Sequence, residues 1–347
     1  MKINKRIEIV CSSEAGLSSM SLRSRNAVLA TLSCHYIEVA ITIVNTAADL
    51  EQLAIRKPDV VFLGMNFVPR NPLLGSRDPN RIWLSDYLDM HEITYTGSDR
   101  AAHELEVNKP LAKQRLHDNG LMTSSFHVIR QGQPMTRDGI RLNYPVFVKP
   151  TDRGGGLGID DDSLALTFDT LRSKVKSIAD TLHSDSLIEE YLPGREFSVA
   201  ILKNSNDEEY SVMPIELVTD ENEKGVRILA GNVKSKNTSQ VLSITDSLLK
   251  SQVSILALNA FHALGAREYG RIDIRLDAHG APHFLEANLL PSLISGYGSF
   301  PIACMLNEEL DYESMILHIV DLALSRSEIS QDESVPITAT QAVAFSY

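Results

Sequence analysis

The 347-residue sequence contains little cysteine: only Cys11, Cys34 and Cys304 are present, and none lies in a CxxC or Cys/His pair with the spacing of a zinc site. So few and widely separated cysteines exclude a disulfide scaffold and favour a reducing compartment. Long apolar runs are also missing, since no stretch approaches the roughly 18 residues that a membrane span needs. The apolar segment Ile7 to Cys11 is too short for the core of a signal peptide. We therefore expect a cytoplasmic protein that does not insert into membranes.

Positive charge is scarce as well. The chain has 33 Lys and Arg residues against 45 Asp and Glu residues, which gives a net charge of −12 and an isoelectric point near 5.3. This acidic balance argues against a surface that neutralises the phosphates of DNA or RNA. Hydrophobic residues make up 43% and charged residues 22% of the chain, so an intrinsically disordered protein is excluded too. We expect a folded protein of two or three domains.

The first hundred residues alternate between apolar strands and helices. Strands are predicted at residues 6–11, 37–44 and 59–63, with helices between them. Such alternation predicts a parallel sheet that is covered by helices on both faces. Residues 66–80 contain three prolines and little periodicity, so we expect a long loop beside the end of a strand, where loops are often functional. A helix is predicted at 82–90.

The pattern changes near residue 100. A helix at 108–119 ends at Asn119-Gly120, which is a favourable C-cap. The remaining predicted elements are strands at 125–129, 145–149, 186–191, 196–202, 270–276 and 282–287, and helices at 163–182, 245–264 and 309–325. We expect the polar tail from Arg326 to be loosely ordered. The sequence contains no internal repeat and no low-complexity tract.

A lysine and a glycine-rich loop follow one apolar strand. The strand ends in Lys149, and the next residues include Gly154, Gly155, Gly156 and Gly158. Glycines let backbone N–H groups converge on phosphate oxygens, and a lysine adds a positive charge. The spacing matches neither GxxxxGK[ST] nor GxGxxG, so a P-loop and a Rossmann fingerprint are both excluded. Taken alone, the motif is compatible with phosphate binding and, more commonly, with a tight structural turn.

Acidic residues lie at the end of a second apolar strand. Glu189 and Glu190 close the strand that begins near residue 186, and Glu196 opens the next one. Carboxylates in such a position can accept hydrogen bonds from an adenine amino group or from ribose hydroxyls. A charged turn at the edge of a sheet is the alternative, and this segment alone favours it.

The most specific pattern occupies two late strands. Side chains alternate faces along a strand, so Arg271 and Asp273 point the same way, as do Glu286 and Asn288. If the two strands are neighbours, these residues converge on one place. Two carboxylates and an amide are hard oxygen ligands that suit Mg²⁺ held against substrate phosphates. The alternative, a polar strand face paired by salt bridges, is weaker because no lysines balance the carboxylates.

The order of these three motifs resembles the ATP-grasp superfamily, and within it the D-alanine–D-alanine ligase family. The resemblance extends over about residues 6–325 and includes the segment Thr94 to Ser98. It implies an α/β, three-domain ATP-grasp fold, in which a parallel α/β pre-ATP-grasp domain precedes two α+β lobes that clamp ATP. The implied units are an amino-terminal domain at 1–99, a central lid lobe at 100–192, a carboxyl-terminal lobe at 193–330 and a polar tail at 331–347.

The resemblance also implies roles for individual residues. The residues implied to bind the phosphates, adenine or ribose of ATP are Lys109, Lys149, Gly155, Gly156, Glu189, Leu192, Glu196 and Phe284. The residues implied to bind Mg²⁺ or Mn²⁺ are Asp273, Glu286 and Asn288. Arg271 and the backbone N–H of Ser292 would stabilise the acyl phosphate and the tetrahedral oxyanion. Lys234 or Lys236 would reach the γ-phosphate from a mobile loop.

The chain departs from the family where the first substrate is held. In the loop after the first strand, Ser12 and Ser13 replace two glycines, and Leu17 stands at the position of a glutamate that pairs with the ammonium of the first D-alanine. The family's histidine after the third strand is absent, Gly155 replaces a serine, and Ser292 replaces a glycine. Leucine cannot pair with an ammonium, and an unpaired buried charge is costly. We therefore expect ATP and Mg²⁺ binding to be kept and the amino-acid selectivity to be altered.

The resulting prediction is an ATP-dependent carboxylate–amine ligase that makes dipeptides or amino-acid amides. A carboxylate would attack the γ-phosphate of ATP, and an amine would capture the acyl phosphate to give an amide, ADP and phosphate. Three alternatives remain: a true D-alanine–D-alanine ligase of cell-wall synthesis in which Glu14 replaces the missing glutamate, a non-catalytic ATP-binding protein, and ATP-grasp chemistry on a carboxylate that is not an amino acid. The resemblance favours a homodimer.

Residues around the long loop permit two interpretations. Trp83 could line a substrate pocket or lie in the core. Arg70, Arg77 and Arg81 could meet a substrate carboxylate or form a solvated basic loop. Ser299, beyond the metal motif, is where the family receives the second substrate.

Overall fold

The computed structural model describes residues 1–14, 16–205, 208–221 and 240–333, so Lys234 and Lys236 lie outside the described residues. The amino-terminal part alternates strands and helices, as the sequence predicts. Its elements are β1 (Ile3–Cys11), α1 (Leu22–His35), β2 (Tyr36–Ile43), α2 (Ala47–Arg56), β3 (Val60–Leu63), β4 (Phe67–Val68), β5 (Ile82–Trp83) and α3 (Leu84–Met90).

The three long amino-terminal strands form a parallel sheet in the order β2-β1-β3. The central strand β1 is buried from Ile7 to Cys11 because helices cover both faces of the sheet. This burial explains why β1 is mostly apolar rather than alternating, as is typical of a parallel strand between two layers. A backbone bridge from Val61 to Tyr95 extends the sheet beside β3.

The segment after β3 differs from the predicted loop and helix. Phe67 pairs with Trp83 and Val68 pairs with Ile82, so β4 and β5 form a short antiparallel ribbon. The predicted helix at 82–90 consequently begins only at Leu84. The rings of Phe67 and Trp83 meet edge to face with centroids 5.4 Å apart. This contact joins residues distant in sequence, so no local pattern reveals it.

The central part contains two helices and a second sheet. Its elements are α4 (Arg100–Val107), α5 (Lys109–Asp118), β6 (Phe126–Ile129), β7 (Val146–Pro150), β8 (Leu164–Ala165), α6 (Phe168–Leu182) and β9 (Ser186–Glu190). The four strands are antiparallel neighbours in the order β6-β9-β7-β8. The apolar face of α6 covers this sheet. Thr167 caps α6, which therefore starts later than the predicted residue 163.

The carboxyl-terminal part is built on a five-stranded antiparallel sheet. Its elements are β10 (Glu196–Lys203), β11 (Tyr210–Val218), β12 (Gln240–Ser243), α7 (Ser247–Ala263), β13 (Tyr269–Leu276), β14 (Pro282–Asn288), α8 (Ser299–Glu308) and α9 (Tyr312–Glu333). The strand order is β12-β11-β10-β13-β14. Sequence reasoning missed β11, because its buried residues lie in one central run rather than in alternation.

Among the helices in the described ranges, α9 is the longest, with 22 residues. It continues to Glu333, well beyond the predicted end at 325, so the expectation of a loosely ordered chain from Arg326 is wrong for residues 326–333. The rest of the predicted tail lies outside the described residues. None of the helices within those ranges is both long enough and apolar enough to cross a membrane.

The buried cores join parts of the chain that the predicted domain limits separate. Leu105 of α4 and Leu116 of α5 pack in the core between α7 and the five-stranded sheet, although the sequence assigns both helices to the central lobe. Ile316 and Val320 of α9 pack with the amino-terminal sheet. The limits at residues 99, 192 and 330 stay predictions, and these cores show that the units share much of their apolar interior.

Candidate active site

A cleft of about 680 Å³, part of which is open to solvent, is lined by residues of both antiparallel sheets. One wall comes from β7 and β9, and the other comes from β10, β13 and β14. Six of the predicted site residues line the cleft: Lys149, Glu189, Leu192, Glu196, Asp273 and Glu286. Phe147, Ile159 and Leu285 add an apolar surface. The cleft thus combines a flat apolar region with charged groups, which suits a nucleotide.

Glu189 is held between two buried lysines. Its Oε1 lies 2.6 Å from Nζ of Lys113 and its Oε2 lies 2.7 Å from Nζ of Lys149. Burial alone would raise the pKa of Glu189, but the two ammonium groups outweigh burial and lower the pKa to about 2. With both lysines protonated, the triad has one net positive charge, which favours an anionic ligand.

Lys113 is the clearest residue that sequence reasoning missed. It is fully buried on α5, one helical turn after Lys109 and on the same side as Leu116. Burial lowers the pKa of Lys113, while Glu189 acts in the opposite direction. Its ammonium also lies 3.0 Å from the hydroxyl oxygen of Ser124. The available signal was a lysine on the apolar face of a helix, because such a charge requires a buried partner.

Lys109 connects the glycine-rich loop to the metal strand. Its Nζ donates to the carbonyl oxygen of Arg153 at 2.6 Å and lies 3.7 Å from Oε2 of Glu286. Burial lowers the pKa of Lys109, and Glu286 opposes that effect. Gly155 and Gly156 follow with φ of +65° and +80°, a conformation that residues with a Cβ rarely adopt. The loop is therefore anchored to Lys109 through the carbonyl oxygen of Arg153.

The predicted metal ligands lie on neighbouring strands. The β13–β14 pairing places Asp273 opposite Glu286 and Arg271 opposite Asn288. Nδ2 of Asn288 lies 3.2 Å from Oδ2 of Asp273, so the amide and carboxylate converge as the alternation of side chains predicts. Within the described residues, no group of three or more His, Cys, Asp or Glu side chains could hold a metal. The two carboxylates and one amide oxygen fit Mg²⁺ only if substrate phosphates complete its shell.

Arg271 donates hydrogen bonds to both carboxylate oxygens of Asp273. Its Nε donates to Oδ1 at 2.9 Å and its Nη2 donates to Oδ2 at 2.8 Å, while the hydroxyl of Ser198 donates to Oδ1 at 2.8 Å. Burial would lower the pKa of Arg271, but Asp273 outweighs it and raises the pKa. The Nη1 of Arg271 also lies 3.3 Å from Oγ of Ser299. A cation at Asp273 would therefore compete with a buried, bidentate arginine.

Phe284, a predicted nucleotide contact, lies in a core rather than in the cleft. Its ring is 1% exposed and packs in the core beneath α7, whereas the adjacent Leu285 lines the cleft. A β-bulge between Asp273 and Ile274 puts Glu286 opposite Asp273 and Phe284 opposite Ile274, which leaves Leu285 as the extra residue. We therefore reassign the predicted nucleotide contact from Phe284 to Leu285.

The loop after β14 is anchored by a carboxylate that the sequence did not reveal. Oε1 of Glu106 accepts hydrogen bonds from the backbone N–H of Leu289 at 2.6 Å and of Leu290 at 3.3 Å. Ser292 follows in the same loop, and its backbone N–H has no acceptor among the residues that the structure describes. This N–H can therefore donate to an oxyanion. The predicted role of Lys234 falls outside the described residues.

Two antiparallel lobes that enclose a lysine-rich and carboxylate-rich cleft define the chain as an ATP-grasp protein. The D-alanine–D-alanine ligase of Bacillus anthracis, in its complex with ATP, shares this fold with a TM-score of 0.74 at 18% identity, over 94% of this chain and 99% of that chain. The ligase of Coxiella burnetii shares it with a TM-score of 0.66 at 14% identity, over 95% and 97% of the two chains. The predicted fold class is confirmed.

A family model and sequence relatives show to which family the chain belongs. The family model described as the D-Ala–D-Ala ligase C-terminus matches residues 116–321. The uncharacterized protein y4sG of Sinorhizobium fredii is 32% identical over 243 residues, which are 69% of each chain. The D-alanine–D-alanine ligase of Hydrogenovibrio crunogenus is 28% identical over 323 residues, covering 92% of this chain and 95% of that protein. The chain belongs to the D-alanine–D-alanine ligase family, so the predicted ATP-dependent, carbon–nitrogen-bond-forming ligase class is confirmed.

Proposed function

We propose that the chain joins a carboxylic acid to an amine inside this cleft, and that first-substrate selectivity differs from that of a D-alanine–D-alanine ligase. One oxygen of the acid attacks the γ-phosphorus of ATP, the bond from that phosphorus to the β–γ bridging oxygen breaks, and ADP leaves. The amine nitrogen then attacks the acyl carbon, phosphate leaves, and the nitrogen loses a proton. The convergence of Lys109 and Lys149 with Glu286 and Asp273 supports this proposal most strongly.

Different residues along the cleft bind the phosphates, the base and the ribose of ATP. Lys109 and Lys149 hold the phosphates as point charges, beneath the backbone of Gly155 and Gly156. Leu192 and Leu285 contact the base, and Glu189 orients Lys149 while accepting from the adenine amino group. Glu196 binds the ribose and is itself held by Nη1 of Arg275 at 3.2 Å. The positions of Lys149, Glu189, Leu192, Glu196 and Leu285 in the cleft lining support these roles. For Lys109 the support is its contact with the glycine-rich loop and with Glu286.

Mg²⁺ or Mn²⁺ would be held by Asp273, Glu286 and Asn288. When bound, the positive charge of the metal ion would offset the negative charge of the phosphates. Arg271 is placed to stabilise the negative charge on the reacting acyl group, because it is buried and already faces these carboxylates. The backbone N–H of Ser292 donates to the tetrahedral oxyanion. We also propose that Lys234 or Lys236 reaches the γ-phosphate, that the protein is a homodimer, and that it resides in the cytoplasm.

The test is ATP-dependent phosphate release across acids and amines, with mass spectrometry of the products. Glu286→Gln and Asp273→Asn are expected to lower turnover at least about 100-fold, because each removes a charge beside the phosphates. Glu208→Gln is the matched control, since its side chain is 93% exposed and lies outside the cleft. Normal turnover in both cleft variants would refute the metal assignment. ATP binding without phosphate release for any pair would instead indicate a non-catalytic nucleotide-binding protein.

A further inference from the structure

A second pocket lies in the central part of the chain and shares no lining residue with the nucleotide cleft. It has a volume of about 730 Å³, part of which is open to solvent. One wall is a side of α6, and the other is the end of β6 with the turn that follows, residues 129–135. Ser184 and Ser186, where the chain enters β9, close the pocket. We call this place the α6/β6 pocket.

Ser186 brings a buried hydroxyl without a hydrogen-bond partner to the pocket. The side chain is 1% exposed and lines the pocket, and its Oγ has no partner among the residues that the structure describes. Ile188, two residues later on the same face of β9, packs in the core beneath α6, so Ser186 also faces the helix. An unpaired buried hydroxyl destabilises a fold, whereas alanine at this position would not. A ligand atom that accepts a hydrogen bond from Ser186 would remove this cost.

The pocket is rich in positive charge. Its charged lining residues are three cations and one carboxylate: Arg130, Arg172, Lys176 and Asp180. The side chain of Arg130 is exposed and has no hydrogen bond or ion pair within the described ranges. Arg172 and Lys176 are paired with aspartates of α6 at 3.2 and 2.5 Å, but all four side chains are more than half exposed, so solvent screens both pairs. The pocket therefore favours an anionic ligand.

Uncharged groups complete the lining and limit the size of the ligand. Met135 and Ala179 are partly exposed and provide a short apolar surface beside the cations. The turn after β6 is held by its own contacts, since Oε1 of Gln133 accepts from the backbone N–H of Arg130 at 3.1 Å. A volume of this size is typical of small-molecule sites. The lining thus fits a small molecule that has an anionic head and a short carbon chain.

The pocket is connected to the turn between α6 and β9, residues 182–185. Gln131, which lines the pocket, donates from its backbone N–H to Oδ1 of Asp185 at 2.9 Å. Its Nε2 donates to the carbonyl oxygen of His183 at 2.8 Å. A ligand that contacts Gln131 therefore also contacts the residue that holds this turn.

The same turn holds the start of the glycine-rich loop. The carbonyl oxygen of Asp185 accepts from the backbone N–H of Thr151 at 3.1 Å, and Oγ of Ser184 lies 2.5 Å from Oδ1 of Asp152.

Arg153 completes the connection, because its Nη2 donates to the carbonyl oxygen of Leu182 at 2.9 Å. Its own carbonyl oxygen accepts from Nζ of Lys109, which is a proposed phosphate-binding group. A continuous set of hydrogen bonds thus runs from the α6/β6 pocket to the phosphate end of the nucleotide cleft.

We propose that the α6/β6 pocket is an effector site for a small phosphate monoester, and that its occupation strengthens nucleotide binding in the cleft. The phosphate oxygens accept hydrogen bonds from Ser186 and Arg130, and the carbon chain packs on Met135 and Ala179. A phosphate monoester has about −1.5 to −2 charges at pH 7 and three strong acceptor oxygens, which suits a lining of three cations and a hydroxyl.

The direction of the coupling follows from the shared turn. An effector that contacts Gln131 and Ser186 restricts residues 182–185, and with them the start of the glycine-rich loop. The conformational entropy of this segment is then lost before the nucleotide binds, so the nucleotide binds more tightly. By linkage, the nucleotide also strengthens binding of the effector by the same factor.

The first test measures binding of propyl phosphate by isothermal titration. The chain is saturated with Mg²⁺ and a non-hydrolysable ATP analogue, so that the phosphate site of the cleft is already occupied. Propyl phosphate is expected to bind with a dissociation constant below about 1 mM, and butanoate at least about threefold more weakly. Butan-1-ol and butylammonium are expected not to bind. Absence of propyl phosphate binding, or equal binding of the alcohol, would overturn the proposal.

Two variants assign the binding to the pocket. Ser186→Ala and Arg130→Gln are each expected to weaken propyl phosphate binding about fivefold or more, because each removes a hydrogen bond to a charged group. Ser173→Ala and Arg141→Gln, at exposed residues outside the pocket, are the matched controls. Binding by both pocket variants within twofold of the unsubstituted chain would contradict the proposal.

Thermal melting shows whether Ser186 serves the ligand rather than the fold. Without propyl phosphate, Ser186→Ala is expected to melt at the same temperature as the unsubstituted chain or higher, because the unpaired hydroxyl is gone. With propyl phosphate, the unsubstituted chain should gain melting temperature and Ser186→Ala should gain less. An equal gain in both chains would contradict the role of Ser186.

The coupling is tested by titrating the ATP analogue with and without saturating propyl phosphate. We expect the affinity for the analogue to rise at least about threefold in the unsubstituted chain and to stay unchanged in Ser186→Ala. A fall in affinity would indicate competition inside the cleft, and no change would indicate an adventitious anion only; either result would overturn the effector role. Neither titration requires turnover, so a failure of the proposed ligase function leaves this test intact.

Discussion

The nucleotide cleft and the apolar cluster of Leu17, Phe67 and Trp83 differ in how their charged groups are paired. In the cleft, every lysine that the structure shows is matched by a carboxylate, as Lys113 and Lys149 are by Glu189. Beside the cluster, the guanidinium of Arg81 lies over the rings of Phe67 and Trp83, and within the described residues its Nη atoms have no hydrogen bond or ion pair. The charges of the cleft are therefore paired before any ligand binds, whereas Arg81 is held by two aromatic rings and one backbone carbonyl.

This contrast indicates which part of the chain can change its specificity. Charges in the cleft depend on each other, so a substitution there leaves a buried charge without a partner. The side chains of the apolar cluster are held by packing, and packed apolar groups tolerate replacement by others of similar volume. The resemblance implies a carboxylate at the position of Leu17, so the departure expected from the family falls in this cluster and not in the cleft.

The largest expected effect comes from Glu189→Gln. This change leaves Lys113 and Lys149 buried without their shared counter-ion, and we expect the free energy of unfolding to fall by about 4 kcal/mol. Affinity for ATP should fall as well, because Lys149 loses its orientation. Thermal melting and nucleotide titration measure the two effects. Glu208→Gln, at a side chain that is 93% exposed and outside the cleft, is the control, and an equal loss in both variants would contradict the triad's importance.

A smaller effect is expected from Lys113→Met. Glu189 keeps Lys149 as its partner, so this pair has no net charge. We expect the free energy of unfolding to fall by about 2 kcal/mol. Because Lys113 positions Glu189 rather than touching substrate, we expect KM for ATP to rise more than kcat falls. Steady-state kinetics separate these parameters. An unchanged KM for ATP at a reduced melting temperature would show that Lys113 is structural only.

The pH dependence of stability isolates the charge on Glu189. Its pKa is about 2 in the folded chain against an ordinary value of 4.5. The ionised group therefore stabilises the fold above pH 4.5, by about 3 kcal/mol, and this contribution is lost as the pH falls from 4.5 towards 2. The difference in melting temperature between the unsubstituted chain and Glu189→Gln should shrink across that range. A difference that stays constant would place the pKa of Glu189 near its ordinary value.

The smallest effect on the nucleotide cleft is expected from a change in the apolar cluster. Phe67→Leu keeps an apolar side chain beneath Arg81 but removes the aromatic face, and we expect a loss of stability below about 1.5 kcal/mol. KM for ATP should stay within about twofold. Thermal melting and steady-state kinetics with ATP varied provide the measurements. A larger rise in KM for ATP would mean that the cluster and the cleft are not independent.

Particular residues show where prediction from sequence succeeded and where it stopped. The approach of Asp273, Glu286 and Asn288 followed from the alternation of side chains along two strands. The resemblance misplaced Phe284, because a bulge in β14 is a property of the paired strands and not of either strand alone. Lys113 was overlooked because its partner Glu189 lies far along the chain.

The motifs of the nucleotide site, the family and the parallel amino-terminal sheet could be predicted from the sequence alone. Each of these depends on residue identity or on short-range periodicity, which the chain carries locally. Only the tertiary structure decided that Arg81 stacks on Phe67 and Trp83, and that helices α4 and α5 join the core of the five-stranded sheet. Such contacts depend on which surfaces are buried together, and burial is a property of the folded chain as a whole.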